Sequence, residues 1–167
     1  MTRKISELPM IKPDKIEKTS DLNLFFVRRV GNYTESASDA WVTMHAFINE
    51  QNLDRSRLRY FGVAHDDPRV TSEDKLRYDA CILAPKNLKE KGEIGRQILK
   101  GGKYAVFTYH GSSDGLEETF DRIFRKWLPD SKENFDDTRP VFEEYFDMEL
   151  ANTDKSNLIT KICIPIS

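Results

Sequence analysis

The run GKYAVFTYHG, residues 102–111, decides the fold. It is apolar, rich in aromatic and β-branched residues, and stops at a glycine, so it reads as a strand. The text from Ile16 to Val30 reads the same way, ends in LNLFFVRRV (22–30) and stops at Gly31. A helix follows each glycine. In the first, Ala37, Trp41, Met44 and Ile48 recur at helical spacing, Ala40 and Phe47 widen the face, and Thr34 is the expected N-cap. In the second, residues 115–127, Leu116, Phe120, Ile123, Phe124 and Trp127 share one face and Pro129 ends the helix. Two strands then follow in each half: LRYFGVAH (58–65) and KLRYDACILAP (75–85), then PVFEEYFDM (140–148) and NLITKICIPIS (157–167).

The halves superpose in sequence. A shift of 80 places Gly31 on Gly111, Ala40 on Phe120, Met44 on Phe124 and Phe47 on Trp127. A shift of 82 places Tyr60 on Phe142, Thr71 on Thr153, Leu76 on Leu158 and Cys81–Ile82 on Cys163–Ile164. Strand, helix, strand, strand therefore occurs twice. One helix and three strands bury too little to stand alone, so the halves are expected to share a core about a pseudo-twofold axis. The predicted class is α+β: a duplicated β-α-β-β unit forming an antiparallel, barrel-like sheet with two main helices. Residues 1–15 read as a flexible N-terminal arm and 16–167 as one domain, with halves at 16–85 and 101–167 joined by a linker over 86–100, where KNLKEKGEIGR (86–96) shows charge and glycine without a core pattern.

The bulk numbers exclude several classes. The chain has 167 residues, 38% hydrophobic and 32% charged, with a net charge of −2. That balance gives no support for nucleic acid as a main partner, which usually demands a basic face, and with about 15 residues before the domain no helix-turn-helix is expected. No apolar run is long enough to span a membrane, and the N-terminus has no apolar signal core, so the expectation is a cytoplasmic protein. Cys81 and Cys163 sit in apolar strands and read as reduced core residues. His45, His65 and His110 show no metal-ligand spacing, so neither metal nor cofactor is expected. YHGSSDG (109–115) has no nucleophile elbow, and Ser112, Ser113 and Asp114 read as turn and cap residues. Asp79, inside a strand, is expected to make an ion pair or a backbone hydrogen bond.

VFEEYFD (141–147) raises the functional question. With alternating faces, Val141, Glu143, Tyr145 and Asp147 share one side and Phe142, Glu144 and Phe146 the other. Read from the residues alone, Glu143 is either a solvent-facing or Arg-paired strand residue or a ligand contact, and Glu144 a rim acid.

Five runs in order, VRRVGNY (27–33), YFGVAHDDPRVTSEDKLRYDAC (60–81), GGKYAVFTYHG (101–111), KWLP (126–129) and VFEEYF (141–146), resemble the GyrI-like small-molecule-binding domain, which is also the effector-binding domain of AraC- and MerR-type regulators. The resemblance covers about residues 16–166. It implies a six-stranded barrel-like sheet with a ligand groove between the halves, and amphipathic, often cationic, aromatic ligands. It also gives Glu143 the role of the ligand-binding acid, through the pattern Phe142-Glu143-x-Tyr145. A carboxylate on an aromatic floor is poorly hydrated, and a cationic ligand would restore what hydration loses, helped by cation–π attraction of roughly 0.5–2 kcal/mol per ring.

Around Glu143 and Tyr145, the expected ligand-binding set is Tyr33, Trp41, Phe61, Phe107, Tyr109 and Trp127. Trp41 and Trp127 read as core residues or as groove walls. Tyr33 overhangs a cleft or lies on a surface turn. At a shift of 82, Phe61 takes the position equivalent to Glu143, so one half supplies an apolar group and the other an acid. The leading reading is a stand-alone module that senses or sequesters a small amphipathic ligand, as a monomer or weak dimer with no direct DNA or membrane contact. A hydrolase of small electrophiles with Glu143 as acid–base, and an interaction module acting on DNA gyrase or a regulator, are the alternatives.

Overall fold

The computed structural model describes residues 4–83, 85–146 and 158–167. Asp147, Thr153 and the run between them lie outside the described residues. The strands are β1 (Lys15–Thr19), β2 (Leu22–Val30), β3 (Tyr60–Ala64), β4 (Arg77–Leu83), β5 (Gly95–Leu99), β6 (Gly102–His110), β7 (Val141–Phe146) and β8 (Ile159–Pro165). Helix α1 spans Tyr33–Glu50, and α2 spans Leu116–Arg122 and continues through a π turn, Ile123–Trp127, and a last turn, Leu128–Asp130. All eight strands join one antiparallel sheet in the order β1-β6-β8-β7-β3-β4-β2-β5.

The duplication is present with one more strand per half than the six expected. A shift of 80 carries β1 and β2 (15–19, 22–30) onto β5 and β6 (95–99, 102–110). Each of these is one long strand broken by a short kink. β1 pairs with β6 and β5 with β2, so each half lends its first strand to the other. The kinks meet: Gly101 N–H donates to Asp21 Oδ1 at 2.8 Å and Thr19 Oγ1 to Gly102 O at 3.3 Å. The linker expected over 86–100 therefore contains a strand; exposed Arg96 and Ile98 hide its alternation, because an edge strand keeps one face wet. The N-terminal arm is held as well. Leu8 is buried, Lys126 Nζ donates to Leu8 O, and Arg122 donates to Pro9 O and Met10 O.

Local signals explain the helices. Gly31 and Gly111 end their strands at φ 131° and 134°, a region that suits glycine. Asn32, rather than Thr34, caps α1: its Oδ1 accepts from Thr34 N–H at 2.9 Å and Glu35 N–H at 3.3 Å. Pro129 does not stop the second helix but lies within its final turn, Leu128–Asp130.

The two sheet faces bury different cores. On one face α1 covers Phe25, Val27, Tyr78, Ala80 and Ile82, and α2 covers Ala105, Phe107, Ile162 and Ile164. On the other, Leu24, Phe61, Val63, Cys81, Leu99, Tyr104, Phe142 and Cys163 form one cluster. Strands from near both edges meet there, so the sheet curls around it as a half-barrel. Both cysteines are free and buried in it. Among the described residues, no helix is long and apolar enough to cross a membrane.

Candidate functional site

Helices α1 and α2 cover strands on either side of the seam where β3 pairs with β7. In that seam Gly62 lies opposite Glu143, flanked by the pairs Phe61–Glu144 and Val63–Phe142. Directly paired residues share a face, so Glu143, Gly62, Tyr145 and Tyr60 lie on the helix face and Phe61 on the other. A shift of 81 exchanges the two flanking pairs and maps Gly62 onto Glu143. The local twofold thus passes through the Gly62–Glu143 pair. This corrects the sequence expectation for Phe61, which is not the counterpart of Glu143. Phe61 is fully buried on the opposite face, 6.1 Å from the ring of Phe142. The shift reaches 82 only at β4 and β8 (77–83 onto 159–165).

Glu143 anchors a chain of hydrogen bonds. Tyr145 Oη donates to Glu143 Oε2 at 2.7 Å, and Tyr78 and Tyr145 hydroxyls are 2.9 Å apart. Trp41 Nε1–H donates to Tyr78 Oη at 2.9 Å. Tyr78 pairs with Ala64 and Tyr145 with Tyr60, so the two phenols cross diagonally above Gly62. A Cβ at residue 62 would overlap both hydroxyl oxygens. The Trp41 ring lies edge-on to Tyr145 at 5.8 Å and 6.1 Å from Tyr60, with His45 at 5.6 Å. Tyr33 is 6.4 Å from Tyr78, and its hydroxyl donates to Asp66 O at 2.6 Å, tying α1 to the loop after β3.

No basic side chain among the described residues pairs with Glu143. Arg59 instead clamps Glu144 through two bonds of 2.7 and 2.9 Å, on the other face. Desolvation pushes the Glu143 carboxyl above the usual carboxylate range, and the Tyr145 hydrogen bond opposes it in part. Burial also pushes the Tyr145 hydroxyl well up and the Tyr33 hydroxyl to about 12. Burial thus keeps these phenols protonated, as hydrogen-bond donors, at neutral pH.

Of the residues expected at the site, Tyr33, Trp41, Glu143 and Tyr145 come together. Phe107, Tyr109 and Trp127 belong to the α2 patch: the Phe107 and Trp127 rings meet edge-on at 5.1 Å, and Tyr109 Oη donates to Ser112 O at 2.5 Å, under the start of α2. Phe107 pairs with Ile162, which pairs with Glu143, so these rings lie two strands from the acid. Tyr60, Gly62 and Tyr78 were missed. Period-two alternation puts Tyr78 on the helix face with Ala80 and Ile82, but the link to Glu143 depends on which strands are neighbours. Among the described residues, no group of three His, Cys, Asp or Glu side chains is placed to hold a metal.

The family model described as the GyrI-like small molecule binding domain matches residues 14–167. The "Probable transcriptional regulator YgiV" of Escherichia coli O157:H7 is 31% identical over 108 residues, spanning 64% of this chain and 66% of that protein. The aligned stretch thus falls just short of two thirds of that relative's length. The EcmrR C-terminal domain crystal structure superposes with a TM-score of 0.70 at 15% identity, covering 92% of this chain and 96% of that one. The structure of SAV2435 bound to tetraphenylphosphonium superposes with a TM-score of 0.60 at 15% identity, covering 92% and 93%. At such identities the structural likenesses bear on the fold alone.

Proposed function

Because this chain belongs to the GyrI-like small molecule binding domain family, we propose that its ligand is an amphipathic cation. The charge sits over Glu143 and the apolar body lies against Tyr33, Trp41 and Tyr145. One observation carries this reading: a desolvated acid with no basic partner among the described residues, set among aromatic rings. Such a group is costly when empty, and a bound cation offsets that cost. Ring faces add attraction without demanding one shape. A relative of this fold takes a lipophilic phosphonium, which supports the ligand class.

The test is calorimetry with a lipophilic quaternary ammonium and its neutral carbon isostere, on wild type and Glu143→Gln. Glu143→Gln should weaken the cation about ten-fold or more, roughly 1.4 kcal/mol, and leave the neutral isostere within two-fold. Equal losses for both would remove the charge role. Turnover of a small electrophile by wild type and not by Glu143→Gln would move the reading to hydrolysis, with Glu143 and Tyr145 as the acid–base pair.

A further inference from the structure

The hydrogen bonds around Glu143 have a fixed direction, and the direction is set far from the acid. Indole nitrogen can only donate, so Trp41 must give its proton to Tyr78 Oη. Tyr145 has one hydroxyl proton, and it is spent on Glu143 Oε2. The 2.9 Å contact between the two phenols therefore requires Tyr78 as donor and Tyr145 as acceptor. The chain runs Trp41 to Tyr78 to Tyr145 to Glu143, each donor polarising the next. It is possible only because Gly62, at the twofold position, leaves space for both hydroxyls.

We propose that Trp41, Tyr78 and Gly62 are positioning residues: they commit the Tyr145 proton to Glu143 Oε2, so that the site offers a ligand the second carboxylate oxygen as an acceptor and no free hydroxyl donor. Among the described residues nothing hydrogen-bonds that second oxygen, Oε1. The arrangement selects ligands that bring their own positive charge or N–H donor and discriminates against neutral ligands that need one donated. It rests on the proposed function for the identity of the ligand but not for the chain itself.

The chain can be read without any ligand. When Glu143 gains a proton, its own O–H can serve Tyr145, whose proton then turns to Tyr78 and competes there with Trp41. The chain has two tryptophans, so ¹⁵N-indole labelling gives two N–H signals, and Trp41→Phe identifies one. The Trp41 signal should titrate with the same midpoint as the ¹³C-labelled Glu143 carboxyl, and become flat in Tyr78→Phe while Glu143 still titrates. Among the described residues, His45 also faces it at 5.6 Å, with Arg55 3.0 Å from the His45 ring. A Trp41 midpoint that persists in Glu143→Gln would report His45 and overturn the proposal, as would a Trp41 signal unmoved while Glu143 titrates in wild type. In binding, Tyr78→Phe removes the donor to Tyr145 without altering a ring placed against the ligand, and should weaken the quaternary ammonium roughly five-fold, the worth of about one hydrogen bond. An affinity within two-fold of wild type overturns the positioning role and leaves the proposed function standing. Coupled titration without any cation binding would do the reverse. Gly62→Ala, checked for folding by circular dichroism, should lose the Trp41–Glu143 coupling; a folded variant that keeps it also overturns the proposal.

Discussion

Gly62 and Glu143 face each other across the β3–β7 seam at the point where the two halves of the chain are related by twofold symmetry. The axis maps each residue of this pair onto the other, so two identical large side chains there would crowd or, if acidic, repel. The chain resolves this by removing the side chain on one strand and placing the acid on the other. The vacated space is filled by the hydroxyls of Tyr78 and Tyr145. A single asymmetric site follows from the symmetry itself.

Gly62→Ala should destabilise the protein by about 1–3 kcal/mol, the usual cost of overpacking. Much of that cost should vanish in a Tyr78→Phe/Tyr145→Phe background, because the added methyl meets those hydroxyls first. Urea unfolding of the full double-mutant cycle measures it, and an interaction energy near zero would mean that the strain lies elsewhere.

Glu143→Gln should raise the melting temperature of the ligand-free protein at neutral pH. The folded-state carboxyl is shifted upward, so the folded state binds its proton more tightly than the unfolded chain does. The penalty is absent below the unfolded value and develops as pH rises through the folded one. The gain from Gln, which still accepts from Tyr145, should therefore shrink on acidification. Thermal scans across pH 3–8 read it directly.

Asp79 makes the opposite contribution. It is fully buried, and burial alone would raise its carboxyl, but hydrogen bonds from His65 (2.6 Å), Arg28 (2.8 and 2.9 Å) and Gln97 (2.9 Å) win and hold it at about 2. A depressed carboxyl stabilises above its unfolded value, ordinarily 3.8, and loses that stabilisation as pH falls toward 2. The pH-linked part is about 2 kcal/mol. Asp79→Asn should cost about 2–3 kcal/mol at pH 7, because the partly exposed Arg28 that loses its partner is screened by solvent, and should flatten the acid limb of the urea-midpoint curve.

Phe61→Leu should cost about 1–2 kcal/mol of stability from the shared core and leave cation affinity within two-fold. Trp41→Leu, a larger loss of bulk on the helix face, should instead reduce affinity. Paired denaturation and calorimetry separate the two faces of the sheet.

The N-terminal segment should behave as part of the fold. Leu8→Ala should destabilise by about 2–3 kcal/mol, the lower range for a buried leucine, since Leu8 lies under the turn that Lys126 and Arg122 hold. Guanidinium unfolding tests it.

Sequence alone determined the duplication, the glycine-terminated strands, the apolar helix faces and the placement of Glu143 and Tyr145 on one side of a strand. Those features are local, because helical and strand periods act within a few residues. Tertiary structure decided that Gly62 rather than Phe61 answers Glu143, that β5 lies inside what reads as a linker, and that Tyr78 and Trp41 reach the acid while Phe107, Tyr109 and Trp127 stay under α2. Each of these depends on which strands pair and in what register. A slip of a single residue turns every side chain to the other face, and contacts far apart in the chain fix it.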